Sequence, residues 1–130
     1  MWAPYGVTVA PVLARLPHLL LQLEGLAVGA AAVALYFHED FGWILFVALI
    51  LAPDLSFAAY VFGPKVGAVA YDAVHTEIFP IALGTAGVVG DSGVATKVAL
   101  IWLAHIGVDR LLGYGLKYPT AFTDTHLGRV

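Results

Sequence analysis

The sequence predicts an all-α integral membrane protein, four antiparallel transmembrane helices in an up-down-up-down bundle, and three observations carry that reading. First, 61% of the 130 residues are hydrophobic and only 12% are charged, against about 25% charged in soluble chains. A chain this short exposes too much surface to hide an apolar excess with a mean hydropathy of +0.89 in water. Second, four apolar stretches are each long enough to cross a hydrocarbon core of about 30 Å, which takes roughly 20 helical residues. Third, the breaks between them are short, and helices joined by tight turns must be antiparallel neighbours.

The elements follow in order. Met1–Arg15 holds Pro4 and Pro11 and lacks a cationic leader, so it reads as a short arm at the membrane surface and not as a cleaved signal. The spans are expected at 16–37, 42–62, 66–89 and 94–115, separated by His38-Glu39-Asp40, Gly63-Pro64-Lys65 and Gly90-Asp91-Ser92-Gly93. A tail, 116–130, follows, and no room remains for a second domain. Arg15, Lys65, Arg110, Lys117 and Arg129 fall on one side, whereas Glu39, Asp40 and Asp91 face the other with Lys97. Because basic residues stay in cytoplasmic loops, both termini are expected in the cytoplasm, with the chain integral to a bacterial cytoplasmic membrane. Six basic residues and a net charge of -3 give no footprint for nucleic acid. The absence of cysteine excludes disulfides and thiolate ligands, so any metal must sit on His, Asp or Glu.

The informative residues are the ionisable ones inside the spans: Glu24, Asp54, Asp72, His75, Glu77, His105, Asp109 and Arg110. A charge at the bilayer centre costs at least about 2.5–3.5 kcal/mol, so each needs a partner, a proton, a metal or a wet cavity. At about 1.5 Å per residue, Glu24, Asp54, Asp72, His75, His105 and Asp109 lie about 9 to 15 Å from the cytoplasmic end, in one layer. Spacing sets azimuth: Asp72 with His75, and His105 with Asp109, each share a helix face, while Glu77 points elsewhere. One carboxylate from each of two helices, with a carboxylate–histidine pair from each of the others, is the inventory of a di-metal site in a four-helix bundle. The expected ligands are Glu24, Asp54, His75, His105 and Asp109, holding one or two metals, zinc, iron or manganese.

Other roles follow from position. Asp54, Glu24, Asp109, Arg110 and His126 are candidate catalytic groups, and Asp72, Trp102, Tyr114 and Lys117 candidate substrate contacts. Trp43, Tyr114 and Tyr118 fit an interfacial aromatic belt. Pro53 and Pro80 remove backbone donors and can open carbonyls toward a cavity. The bland alternative is a polar network fixing helix register, with Arg110 neutralising Asp109 or Glu24. Two histidines also fit a haem, although surplus carboxylates beside a porphyrin argue against it. The tail reads either as a terminus on the headgroups or as a lid carrying Lys117 or His126 to the site.

The runs Leu23-Glu24-Gly25-Leu26-Ala27, Ala52-Pro53-Asp54-Leu55-Ser56, His75-Thr76, Trp102-Leu103-Ala104-His105-Ile106-Gly107-Val108-Asp109-Arg110, Gly113-Tyr114-Gly115-Leu116-Lys117-Tyr118-Pro119 and Thr125-His126-Leu127-Gly128 carry a resemblance. They resemble a family of small bacterial integral membrane proteins catalogued as domain of unknown function 4260. That resemblance covers nearly everything after Leu16 and implies four membrane spans and no established activity. A looser likeness, Pro-Asp followed by membrane-embedded His and Asp, is to membrane-bound metal-dependent hydrolases.

The function expected is therefore a metal-dependent membrane enzyme acting on an apolar, lipid-like or isoprenoid-like substrate, with hydrolysis favoured. A metal-free alternative uses a buried, protonated Asp54 or Glu24 to start an isomerisation or cyclisation. A third is a proton- or ion-coupled carrier or a subunit of a membrane complex, for which four spans would require a homo-oligomer. Against a carrier, the outer halves of the first two spans, Leu26–Phe37 and Gly42–Leu51, are almost purely apolar. Membrane lipids and an apolar small molecule are the expected partners.

Overall fold

In the computed structural model, which describes residues 9–129 and side chains from Leu13 onward, the chain is all-helical. Its elements are α1 (Val9–His38), α2 (Trp43–Leu49), a 3-10 helix (Ala52–Phe62), α3 (Pro64–His75), α4 (Ile78–Val89), α5 (Gly93–Leu112) and α6 (His126–Arg129). Two stretches, Leu13–His38 and Trp43–Phe62, are long and apolar enough to cross a membrane. Many large apolar side chains on them are exposed, Leu20, Leu23, Leu35, Leu51, Leu55, Val61 and Phe62 among them, more than soluble monomers usually show. Part of the expected N-terminal arm lies outside the described residues, and from Val9 onward the chain is already helix.

Packing centres on α5, against which α1, α2 and α4 all lie, while α3 packs on the 3-10 helix. Glycines let α1 and α5 touch backbone to backbone: a Cβ on Gly107 would collide with the backbone of Gly29, and one on Gly25 with the Arg110 Cβ. Small residues at a crossing are the usual means of close approach between apolar helices. The turns have local causes. Asp40 and Asp91 take left-handed conformations, φ 56° and 52°, which Asp tolerates. The Tyr36 hydroxyl donates to the Gly42 carbonyl at 2.6 Å, and the Ser92 side chain caps α5 by accepting the Ala95 N–H.

Two expected spans are not continuous α-helices, and proline is the cause each time. In the second, Pro53 has no N–H, and Asp54 N–H turns to the Leu51 carbonyl three residues back. The chain goes on as a 3-10 helix of 11 residues, far beyond the usual 3–4. In the third, the expected helix 66–89 is two helices divided at Thr76-Glu77. Pro80 lies four residues after Thr76, where it removes a donor and crowds the Thr76 carbonyl. The break frees the carbonyls of Val74 and His75, and α5 takes both up: Trp102 Nε1–H donates to Val74 at 2.5 Å and Arg110 to His75 at 2.9 Å.

The tail is folded onto the helices. Lys117 and Thr125 pair as a single antiparallel bridge, Lys117 N–H donates to Asp72 Oδ1 at 2.6 Å, and Leu116 N–H donates to His126 Nδ1 at 2.7 Å. Leu127 is buried, and its carbonyl accepts from His18 of α1 at 2.9 Å.

Candidate metal centre

Four side chains meet where the two broken segments face α5. Asp54 stands at the start of the 3-10 helix, His75 at the last turn of α3, and His105 and Asp109 one turn apart on α5. Asp54 Oδ1 lies 3.3 Å from His75 Nε2 and 3.1 Å from His105 Nε2. Asp109 Oδ2 lies 3.5 and 3.2 Å from the same nitrogens, which are themselves 3.2 Å apart. All four ligand atoms fall within 4.8 Å of one another, so the group could hold a metal ion.

The tautomers are set from behind. His75 Nδ1 is 2.8 Å from the Tyr71 carbonyl and His105 Nδ1 is 2.5 Å from the Ile50 carbonyl. A carbonyl only accepts, so both Nδ1 atoms carry hydrogens and both neutral rings present Nε2 lone pairs to the centre. The Ile50 carbonyl is free because Asp54 N–H, its α-helical partner, bonds Leu51 instead. Two lone pairs and two carboxylate oxygens in mutual contact repel unless protons or a cation lie among them. A divalent cation would bring the two carboxylates to zero net charge, the state a low-dielectric interior tolerates best.

Burial is graded across the group. His75 and His105 side chains are 0% and 4% exposed, Asp109 is 16% and Asp54 34%, so the centre opens on its carboxylate side. It opens into a cavity of about 340 Å³ lined by Asp54, Phe57, Tyr71, Asp109, Tyr114 and Phe122.

The family model for a domain of unknown function (DUF4260) matches residues 18–130. The chain belongs to the DUF4260 family. No curated protein and no solved structure matches it. The DUF4260 segment contains all four residues of the centre, the aromatic cavity and the folded tail.

Within it, the other residues singled out from the sequence are dispersed. Glu24 is not in the group: Gly25 and Gly29 face α5, which turns the neighbouring Glu24 toward a second cavity shared with Thr76, Glu77 and Arg110. Arg110 neutralises neither Asp109 nor Glu24 by direct contact among the described residues. It donates to the backbone carbonyls of Tyr114 and His75. Asp72 shares a helix with His75 but serves the tail amide of Lys117. Trp102 holds the Val74 carbonyl and borders a separate apolar cavity with Leu49, Pro53 and Ile101. Tyr114 does line the cavity, whereas Lys117 lies behind its wall with Nζ 4.7 Å from the Tyr71 ring centroid. His126 is occupied within the tail. The Ile50 and Tyr71 carbonyls and the walls Phe57, Tyr71 and Phe122 are additions of the structure to the residues that the sequence singles out. The first two were signalled by Pro53 and by the four-residue spacing of Tyr71 and His75.

Proposed function

We propose that the protein is an integral membrane enzyme that binds one divalent metal on Asp54, His75, His105 and Asp109 and hydrolyses an apolar or lipid-like substrate. The observation that carries this reading is the shape of the donor set. Ligands at about 2.0–2.1 Å from a tetrahedral zinc lie about 3.3–3.4 Å apart, and of the six separations here five fall between 3.1 and 3.5 Å, with the two carboxylate oxygens within 4.8 Å of each other. Imidazole with carboxylate suits zinc, iron and manganese, and a catalytic ion here needs a position beyond these four donors, gained by five- or six-coordination or by release of the part-exposed Asp54 carboxylate. Such a metal supplies Lewis acidity, polarising a substrate oxygen or activating water. The protein's own residues orient the donors through the Tyr71 and Ile50 carbonyls, neutralise the charge, and wall the cavity with aromatic rings.

The membrane setting in this proposal has four spans, the third divided at Thr76-Glu77, with both termini in the cytoplasm of a bacterium and bilayer lipids around the apolar faces. The centre then sits in the cytoplasmic half, reached by substrate from the inner leaflet. Elemental analysis of detergent-purified protein tests the metal. Wild type should carry about one equivalent of a divalent metal, and His75→Ala and His105→Ala far less. Metal-free wild type would instead favour shared protons among the same four atoms, and with them acid–base chemistry on an isoprenoid-like substrate.

A further inference from the structure

The tail brings one large side chain to the cavity. Phe122 leaves the surface loop between Tyr118 and Asp124 and lines the same cavity as the two carboxylates, its ring 5.3 Å from Phe57 and 5.1 Å from Tyr60. Lys117 holds it there: Nζ donates to the Phe122 carbonyl at 2.6 Å and lies 3.6 Å from the Phe122 ring centroid. Lys117 is itself buried and fixed by its backbone bond to Asp72. The tail is thus fastened at its base by His126, Leu127 and His18, and at its tip by a lysine spent on one carbonyl and on aromatic faces.

Resting on the metal reading above, we propose that residues 115–129 form a lid over a substrate site, that Phe122 is its specificity-determining wall, and that Lys117 is the positioning residue that seats it. The cavity defines what it takes. Its volume of about 340 Å³ lies at the small end of ligand sites, about 300–1,000 Å³, so it holds one ring or a short single chain and not a whole two-chain lipid. Phe57 and Tyr71 stack at 5.4 Å and Phe122 faces them, a surface that suits a flat or unsaturated body. The metal would neutralise the two carboxylates, and Lys117, near the wall, is already engaged. No unspent positive charge lines the cavity for a phosphate, and the reacting group is an uncharged one such as an ester, an amide or an epoxide.

Cobalt(II)-loaded protein in detergent tests this with two metal-binding probes, benzohydroxamic acid and acetohydroxamic acid, read by the visible cobalt spectrum. Wild type should bind the benzene-bearing probe roughly tenfold tighter than the methyl one. Phe122→Ala should lose that preference while keeping the same cobalt stoichiometry, since Phe122 is 47% exposed and its loss leaves the helical core intact. Lys117→Met should lose part of the preference, and Lys117→Arg, which can still reach the Phe122 carbonyl, should restore it. An unchanged preference in Phe122→Ala with cobalt bound overturns the lid alone. Failure of wild type to bind cobalt overturns the metal reading and the lid with it.

Discussion

His126 accepts the Leu116 N–H through Nδ1, a bond that only a neutral imidazole can receive. Burial lowers its pKa from the ordinary value near 6.5, and the Arg110 charge lowers it further. A folded-state pKa below the unfolded one means that protonation favours the open tail. The tail is therefore expected to stay fully closed above about pH 6.5 and to lose protection as pH falls through the lowered value. Hydrogen exchange at Leu116 and Lys117, corrected for intrinsic rates, reads this. His126→Ala should expose both amides about five- to tenfold at neutral pH, the worth of one hydrogen bond, and abolish the pH dependence. At this scale the sequence was informative where residues came in pairs. His105 and Asp109, four apart on one helix, meet as spacing says they must. Glu24, alone on its helix, had a depth but no azimuth, and Asp72 shared a face with His75 yet was claimed by a tail whose fold no periodicity announces.

The elements owe their form to two prolines and three glycines. Pro53 and Pro80 were visible as lost donors, but the compensations come from α5, and a one-dimensional pattern does not say which distant side chain takes up a freed carbonyl. Gly25, Gly29 and Gly107 set how closely α1 approaches α5. Gly107→Ala should cost about 1–3 kcal/mol by overpacking, seen as a lower thermal midpoint in detergent. Gly42→Ala, with nothing within 4 Å of the added atom, should leave the midpoint unchanged. An equal effect of the two would mean that the crossing is looser than the backbone contact implies.

For the molecule as a whole, the proposed topology puts the α1–α2 turn and the tail on opposite sides of the bilayer. The chain has no cysteine, so single replacements report cleanly. In intact cells an impermeant thiol reagent should label Glu39→Cys and spare Ala121→Cys until the cells are lysed; the reverse pattern would invert the orientation. Apolar composition made the two helices long and apolar enough to cross a membrane legible at once, because it sums over the entire chain. Depths counted along straight α-helices do not carry over, since Asp54 lies on a 3-10 helix and His75 ends α3 at the Thr76-Glu77 break.

On the proposed four-span topology, the division at Thr76-Glu77 bears on how the chain would enter a membrane. Entering alone, the third segment would carry the Val74 and His75 carbonyls into hydrocarbon with nothing to receive them, and each such group costs several kcal/mol. Their partners, Trp102 and Arg110, lie 28 and 35 residues further along the chain. On the proposed topology the third and fourth segments are therefore expected to enter the membrane together as one hairpin, with the donor layer assembled in the same event.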